Sequence, residues 1–420
     1  MTFSLKPASF KENKKGNMMR FKGSILAFSA ITVLTACAAE TPPETSGDKS
    51  YQDILLTQLI DAKPGDVITI PEGTFSFDRG LSLTVDGVTI RGAGMDKTIL
   101  SFKNQVQGAE GLLVTASDFT IEDLAVEDSV GDAIKVNEGD NIVFRNVRTE
   151  WTNGPDTKNG AYGLYPVQTT NVLIEGCVAI AAADAGIYVG QSKNVVVRNN
   201  RAEFNVAGIE IENTQDADVY NNVAVNNTGG ILVFNMPNLM QYGANVRVYE
   251  NEIYGNNTKN FGHKGTPVAS IPAGSGVVVN SHDKVEIFNN DIRDHRTANV
   301  IISSIFTSNY GDKGMEETFD PYPEQISLHS NRYVGGGDKP DGLELKALKT
   351  AIFGLKGKFP DVLWDGYIND ALESAQICIQ DDVQVLNADM PGGNKNPRVE
   401  AEPFSCKLDP LPAISLASAE

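Results

Sequence analysis

Apolar and polar residues alternate in short runs through most of the chain, and the runs recur at a fixed spacing. Similar segments begin at Gly163, Gly186, Gly208 and Gly230, so their starts are 22 or 23 residues apart. Short β-rich units at a fixed period are typical of a solenoid, in which each unit buries its apolar face against its neighbours. A sandwich would show less regular units with hairpin turn signals, and a propeller blade needs about twice this length.

Each repeat predicts a strand, a turn, a second strand, a turn and a short third strand. Stacking such units gives an all-β, single-stranded parallel β-helix over residues 51–340, in which every strand pairs with its equivalent in the next coil. At its start, YQDILLTQLIDA (51–62) predicts a cap helix with Ile54, Leu55, Leu59 and Ile60 on one face. Residues 341–420 lose the repeat and predict an irregular C-terminal cap, because solenoid ends expose unpaired backbone.

One position of the repeat carries an amide in coil after coil. A side-chain amide both donates and accepts, so stacked asparagines can bond to each other along the solenoid axis, and asparagine also tolerates a left-handed corner. Cys177 takes the same position in one coil, which predicts a buried thiol. The predicted structural ladder consists of Asn146, Asn200, Asn222, Asn251, Asn290 and Asn331.

Four insertions, at residues 151–161, 235–244, 255–275 and 305–325, interrupt the repeat. The first and third come just before a Gly-Ile-x-Val strand, and the second and fourth come just after one. They therefore flank a single sheet. Because loops added to one face of a solenoid usually build its binding surface, we expect a groove whose floor is that sheet.

Strand alternation predicts which side chains face this groove. Lys135, Tyr165, Tyr188 and Glu210 share one outward column, and Asn137, Gly190, Glu212 and Asn280 lie two residues further along. Aromatic rings along a groove bind sugar rings, although tyrosines also suit the solvated face of any sheet. Tyr165, Tyr188, Trp151 and Asn280 are the predicted substrate-binding residues. Further wall candidates are Tyr242, Phe261, His263, Lys264, His282 and Tyr310.

Candidate chemistry centres on Glu210 and Glu212, which share a strand face. The two carboxylates could hold Ca²⁺ or act as an acid–base pair, and the alternative is a solvated acidic patch. His263 and His282 are further acid–base candidates. Lys135 could act as a base only if its pKa were depressed. His295 and His329 are expected to be ordinary surface residues of the repeat.

The charge balance narrows the partners. With 54 acidic and 35 basic residues, the chain has a net charge of −19. Nucleic acid is excluded, because its phosphates need clustered basic side chains. Polyanionic substrates are disfavoured unless a bound cation or a local basic patch reverses the field. Cys378 and Cys406 lie in the C-terminal region and predict a disulfide if the protein is exported.

An export signal is indicated at the N-terminus. Arg20 and Lys22 precede an apolar run (24–34) that is too short to span a bilayer and ends at Cys37. This pattern resembles a bacterial lipobox, so residues 1–37 are predicted to be a lipoprotein signal peptide with Cys37 lipidated. Residues 38–50 then form a flexible tether. Ala38 after the cysteine predicts the outer membrane rather than inner-membrane retention. The true start could be Met1, Met18 or Met19.

The segments YGLYPVQTTNVLIEG, DAGIYVGQS, NVAGIEIEN, NNTGGILVF and VASIPAGSGV resemble a family of exported bacterial parallel β-helix repeat proteins. That family belongs to the pectin-lyase-like superfamily of right-handed β-helices, and the resemblance covers roughly residues 52–335. It implies right-handedness, a lipoprotein or secreted protein, and a companion exported protein encoded nearby. It supplies no established reaction.

More distant members of the superfamily include alginate and chondroitin lyases and mannuronan epimerases. Glu210-Ile211-Glu212 is similar to the first part of a lyase motif that pairs a calcium site with a catalytic lysine. No lysine follows in NTQDADVYNN, and the epimerase-type Asp-Pro-His-Asp motif is absent from the sequence. No catalytic role is transferred from this resemblance.

Two functions therefore remain open. In the first, a lipid-anchored envelope protein binds and modifies a polysaccharide in the groove; as an enzyme it would be a lyase or a uronate epimerase, with Ca²⁺ at the acidic pair. In the second, the protein is a non-catalytic envelope scaffold for the companion exported protein. The aromatic column favours the first hypothesis and the incomplete Glu-x-Glu motif favours the second.

Overall fold

A computed structural model describes residues 50–308 and 314–416. The signal segment with Cys37, most of the tether and Tyr310 lie outside the described residues, so lipidation and the tether stay predictions. Within the described ranges, no helix has both the length and the apolar character needed to cross a membrane.

The described chain is built almost entirely of β-strands, with one helix near each end. The helices are α1 (Tyr51–Ile60) and α2 (Leu343–Phe353). The strands are β1 (Val67–Thr69), β2 (Gly73–Ser76), β3 (Arg79–Leu83), β4 (Thr89–Arg91), β5 (Thr98–Ser101), β6 (Gln107–Val114), β7 (Phe119–Glu127), β8 (Ile134–Glu150), β9 (Leu164–Glu175), β10 (Val178–Ile180), β11 (Ala185–Gly190), β12 (Lys193–Arg198), β13 (Arg201–Glu203), β14 (Ala207–Glu212), β15 (Gln215–Tyr220), β16 (Val223–Val225), β17 (Gly229–Phe234), β18 (Ala244–Tyr249), β19 (Glu252–Tyr254), β20 (Ser275–Asn280), β21 (Asp283–Phe288), β22 (Asp291–Arg293), β23 (Ala298–Ser303), β24 (Ile326–His329), β25 (Arg332–Val334), β26 (Val362–Trp364), β27 (Ile377–Ile379), β28 (Val385–Asn387) and β29 (Arg398–Glu400).

All of these strands except β29 form three parallel sheets that run along one axis, and β29 pairs antiparallel with β28. Sheet A contains β3, β6, the first part of β8 and of β9, β11, β14, β17, β20, β23, β26 and β28. Sheet B contains β1, β4, the first part of β7, the middle of β8, the end of β9, β12, β15, β18, β21, β24 and β27. Sheet C contains β2, β5, the ends of β7 and β8, β10, β13, β16, β19, β22 and β25.

Each coil passes through the sheets in the order A, B, C, and neighbouring coils pair residue by residue. Tyr188 lies opposite Glu210, which lies opposite Leu232. The alternating residues on either side of each outward position, such as Ile187 and Val189, are fully buried inside the solenoid. A parallel β-helix with a cap helix at its start is thus confirmed.

The asparagine ladder is present between sheets B and C, with one correction. Asn222 Nδ2 donates to Asn251 Oδ1 at 3.0 Å, and the same bond links each successive pair from Asn200 to Asn331. The buried Cys177 donates its backbone N–H to Asn200, as its place in the ladder predicts. Asn146 does not belong to it: this exposed residue has φ 51° and donates to Asp123. It occupies the left-handed corner one residue before the ladder position, which Val147 fills.

A second amide ladder, missed in the sequence, runs between sheets C and A. Asn205 donates to Asn227, and Asn227 donates to Asn256, at 3.0 and 2.9 Å. His295 continues the column, with its ring 3.0 Å from Asn256 Nδ2 and 2.8 Å from Asn299 Oδ1. The expectation that His295 is a surface residue is therefore wrong, because the corner encloses it completely.

The two ends of the solenoid are covered as the loss of the repeat predicts, but with different details. Helix α1 is capped by Ser50 and buries Leu55 and Leu59, whereas Ile54 and Ile60 are 40% and 76% exposed. Its apolar face is therefore narrower than the sequence pattern indicates.

Beyond residue 340 the parallel pairing continues, because β26 and β27 extend sheets A and B. The predicted disulfide between Cys378 and Cys406 is present in the structure. The tail after it runs back along sheet B, where the backbone N–H groups of Leu411 and Ile414 donate to the carboxylates of Glu286 and Asp218.

Candidate functional site

The insertions flank sheet A, but they fold down over its C-terminal half instead of standing beside an open groove. A second apolar cluster, outside the solenoid, forms between them and the outward side chains of sheet A. Its buried members are Ala185, Tyr188, Val206, Ala207, Leu232, Phe234, Met236, Val268, Ile271, Val278, Ile305 and Phe319. The floor of the expected groove is thus covered from β11 onward. Over the earlier coils the outward residues stay half-buried, as at Lys135 and Tyr165.

Three of the four predicted substrate-binding residues are less accessible than expected. Tyr188 is 5% exposed under the insertions, and Asn280 is 4% exposed. Trp151 packs into the solenoid core and donates its indole N–H to Ser129 O at 2.8 Å. Its ring turns inward because segment 151–161 lies over the coil. Only Tyr165 keeps a half-exposed position on sheet A.

The predicted wall residues also differ in how accessible they are. His282 is fully enclosed at a corner, where its ring fills the space above Gly243, and burial lowers its pKa to about 4. It is therefore a packed core residue and not a groove acid–base group. His263 and Lys264 are exposed on the third insertion. The half-buried Tyr242 and Phe261 pack against the second apolar cluster.

A cluster of three tyrosines lies where the open half of sheet A meets the covered half. The Tyr162 ring is 4.5 Å from both Tyr165 and Tyr188, which themselves meet edge to face at 4.9 Å. The ammonium group of Lys135 lies 4.8 Å from the centre of the Tyr165 ring. Tyr162 was missed because it comes at the corner just before β9, outside the alternation that identifies strand residues.

Four carboxyl groups surround these tyrosines. Tyr188 donates its hydroxyl to Glu212 Oε1 at 2.7 Å. The carboxyls of Asp184 and Glu210 are in hydrogen-bonding contact, and both side chains are buried. Glu210 Oε2 has no hydrogen-bond donor among the described residues. Asp132 lies further toward the open half and accepts the backbone N–H of Tyr162 at 3.2 Å.

Burial raises the pKa of every carboxyl in this cluster. The pKa of Glu212 rises to about 7, although the Tyr188 hydroxyl partly opposes the shift, and that of Asp132 rises to about 6. Burial and mutual repulsion raise the pKa values of Asp184 and Glu210 well above the usual range. Burial also raises the pKa of Tyr165, which therefore remains a hydrogen-bond donor.

The residues present do not fit the calcium ion that Glu210 and Glu212 suggested. Calcium takes six to eight oxygen ligands and favours ionised carboxylates. Glu210 instead faces Asp184, and Glu212 is occupied by Tyr188. In the part of the chain that the structure describes, no three His, Cys, Asp or Glu side chains converge as metal ligands.

The arrangement suits acid–base chemistry at the edge of an accessible surface. Asp132, Tyr162 and Tyr165 are half-buried, so each can meet a ligand lying over the open half of sheet A. Glu212 is also half-buried, but it lies on β14 at the edge of the covered half. Two carboxyls with pKa values near 6 and 7 can both give and accept a proton at neutral pH. The phenols add hydrogen-bond donors and apolar ring surface beside them.

Comparison with known proteins agrees with this fold. Residues 79–239 match the model of the right handed beta helix region family. The predicted fold, a right-handed parallel β-helix, is thereby confirmed. No curated protein is significantly similar to the chain.

Several solved structures share the architecture at low identity. The A-module of mannuronan C-5 epimerase AlgE6 from Azotobacter vinelandii is 18% identical, with a TM-score of 0.46, over 72% of this chain and 82% of its own. An alginate lyase from Paenibacillus sp. is 16% identical, with a TM-score of 0.46, over 67% and 93%. Endopolygalacturonase I from Stereum purpureum is 13% identical, with a TM-score of 0.43, over 67% and 98%. These likenesses concern the fold, and no residue role follows from them.

Proposed function

We propose that this protein binds a polysaccharide along the open half of sheet A and modifies it with the carboxyl groups at the end of that surface. The observation that carries the proposal is the row of carboxyls with raised pKa values beside accessible tyrosines. The fold itself does not need such a row. Strongly perturbed carboxyls concentrate at catalytic sites, where the raised pKa keeps a proton available for transfer.

The chemistry of the surface favours a sugar chain over other ligands. Tyr162 and Tyr165 offer ring surface, and neighbouring carboxyl, phenol and ammonium groups offer hydrogen bonds to hydroxyls. An extended chain suits a surface that runs along the solenoid axis with coils about 4.8 Å apart. Lys135 is the one basic side chain in the outward column there and could meet a uronate carboxylate.

Glu212 would supply the group that transfers the proton, and Tyr165 would position the sugar. Asp132 lies three coils away along sheet A and would contact a more distant part of the sugar chain. Asp184 and Glu210 are buried and would form the inner wall of the site. A lyase or an epimerase requires this kind of proton transfer at a sugar ring carbon. The reaction class therefore remains the one that the sequence favours, without calcium.

The test combines binding and turnover. Soluble protein from Ser50 onward is titrated with a panel of neutral and acidic polysaccharides, and products are followed by unsaturated-bond absorbance and by NMR of the sugar protons. Tyr165→Ala should weaken binding about tenfold, since stacking and a hydrogen bond are lost. Glu212→Gln should abolish turnover but keep binding.

Tyr249→Ala is the matched control for Tyr165→Ala. Tyr249 is also half-buried, but it stacks between Tyr220 and Phe288 on sheet B, at 4.8 Å from each ring. Equal losses of binding in the two variants would show that the effect is structural. Failure to bind any glycan of the panel would refute the proposal of polysaccharide binding.

The alternative is a scaffold without catalysis that binds a companion exported protein. It is favoured by the burial of Tyr188 and Glu210, which closes the covered half of sheet A to a long chain. Co-purification of a second exported protein, together with failure of the glycan panel, would support this alternative.

We further propose that the protein is held at the bacterial outer membrane through lipid on Cys37. The lipobox-like end of residues 1–37 supports this proposal. Cys37→Ala should release the protein from the membrane fraction, and labelled palmitate should no longer be incorporated.

A further inference from the structure

A cavity of about 560 Å³ lies on the covered half of sheet A. It is outside the acid cluster, the group formed by the carboxyls of Asp132, Asp184, Glu210 and Glu212. Its floor is formed by outward residues of β17, β20, β23, β26 and β28, and its walls by the third insertion and the first turns of α2. Glu212 lies opposite Phe234, which lies opposite Asn280 in the cavity. Phe234 also lines the cavity, so one coil step, about 5 Å, separates the near edge of the cavity from Glu212.

Most of the cavity lining is apolar. Val278, Ile301 and Leu363 form part of the floor, and Leu345 and Leu348 of α2 face them from the wall. A volume of this size falls in the range of small-molecule sites, which are also mainly apolar with a few placed polar groups. The apolar body of a ligand would therefore be enclosed on both sides.

Asn280 supplies a polar group that could orient the ligand within this apolar cavity. Its side chain is 4% exposed, and its Oδ1 accepts the hydroxyl of Ser303 at 3.1 Å. Its amide nitrogen donates no hydrogen bond to any residue of the described ranges. The residue thus presents a free N–H donor to the cavity that it lines.

The charges around the cavity are all negative. Asp341, Glu344 and Asp365 line it, and no lysine or arginine does. Asp365 is already satisfied, since it accepts the backbone N–H and the hydroxyl of Ser304 at 2.6 and 2.8 Å. An anionic ligand would be repelled here, and a neutral oxygen acceptor matches the N–H donor of Asn280.

We propose that this cavity is a second binding site, independent of the polysaccharide surface, for an uncharged amphipathic molecule. The ligand has an apolar body that fills the space between sheet A and α2, and a carbonyl or hydroxyl oxygen that accepts from Asn280 Nδ2. The proposal does not depend on the acid cluster, and its test uses no glycan.

The experiment titrates the protein from Ser50 onward with four probes of one chain length: 1-decanol, decanamide, decanoate and decylamine. Binding is measured by calorimetry and by the fluorescence of Trp364, which lines the cavity. We expect saturable one-to-one binding of 1-decanol and decanamide, and at least tenfold weaker binding of decanoate, which the carboxylates repel. Binding of decylamine tighter than that of 1-decanol would show that the carboxylates select the ligand, and would overturn the uncharged class. Equal binding of all four would overturn the ligand class, and no binding of any would overturn the site.

Two variants locate the binding. Ala269→Phe places a ring in the cavity and should abolish it, whereas Ala351→Phe adds the same ring on the exposed side of α2 and should leave it unchanged. Asn280→Leu should weaken 1-decanol about tenfold through loss of one hydrogen bond. Thermal unfolding of each variant checks its fold. Binding that survives Ala269→Phe would place the probe elsewhere and refute the proposal.

Discussion

The outer faces of sheets A and B both carry columns of charged residues. The carboxylates are paired with arginines on sheet B, but not on sheet A. On sheet B, Arg91, Glu122, Arg145, Glu175 and Arg198 alternate from coil to coil, and each carboxylate meets arginine on both sides. On sheet A, Asp184, Glu210 and Glu212 meet only tyrosines and one another.

The pKa values follow this difference. Burial alone would raise the pKa of Glu175, but hydrogen bonds from Arg145 and Arg198 bring it below its usual value. The carboxyls of sheet A have no such partner, so burial raises their pKa values. The solenoid can thus pair its charges well, which makes the unpaired carboxyls of sheet A a feature that stability does not explain.

The largest effect is expected where a sheet B pair is deeply buried. Arg247→Met should lower the free energy of unfolding by about 3–5 kcal/mol, because the buried Asp218 carboxylate loses its two guanidinium bonds of 2.7 and 2.6 Å. Urea unfolding measures the change. Arg332→Met, whose side chain is 66% exposed, should cost less than about 1 kcal/mol. Similar losses of unfolding free energy in both variants would show that burial is not the cause.

On sheet A, Glu212→Gln should change the free energy of unfolding in the opposite direction. The folded pKa of Glu212, about 7, lies above that of the unfolded chain, so its protonated form stabilises the fold at low pH. That contribution is lost as pH rises through 7. Relative to wild type, the variant should gain up to about 3 kcal/mol between pH 4.5 and pH 8, as measured by urea unfolding at each pH. A pH-independent difference would contradict the raised pKa.

Glu175→Gln sharpens the comparison on sheet B. Its folded pKa is lowered, so its contribution to stability is present above the unfolded pKa and disappears as pH falls. At pH 8 the variant should be less stable than wild type by about 1 kcal/mol, and the two should converge toward pH 3. If Glu175→Gln and Glu212→Gln shifted stability in the same direction at pH 8, the contrast between the sheets would fail.

The smallest effect concerns Lys135, the one basic residue beside the sheet A cluster. Its charge lowers the pKa of Asp132, which burial otherwise raises to about 6. Lys135→Met should therefore move the Asp132 titration upward, as followed by NMR of carboxyl-labelled aspartate. Loss of the contact with the Tyr165 ring should cost about 0.5 kcal/mol. An unchanged titration would mean that Lys135 does not act on the cluster.

Local pattern was enough to predict the coil. The alternation around Ile187 and Val189 identifies a strand and its buried side, and the repeat places Tyr188 opposite Glu210 in the next coil. The amides from Asn200 to Asn331 follow from the same register. Asn146 was misplaced by one residue, because both the corner and the ladder position accept asparagine and only the pairing of β8 with β10 separates them.

The local sequence pattern could not predict which outward faces of the solenoid are covered by the insertions. Alternation shows that Tyr188 and Asn280 point out of the solenoid, but whether an outward residue meets water depends on contacts with segments far away in the chain. Gly229 shows the reason: a Cβ there would lie 3.0 Å from Leu232 on the same strand and 3.3 Å from Ile271 of the third insertion. No periodicity within either segment records that contact.

The sequence by itself therefore determined the solenoid, its sheets and the side of each strand that faces outward, because these depend on near neighbours and on a repeat that every coil obeys. Only the tertiary structure decided which outward residues are open, which carboxyls lie together without a cation, and where the insertions leave a cavity. Those outcomes depend on how non-repeating loops pack, and each loop packs in its own way.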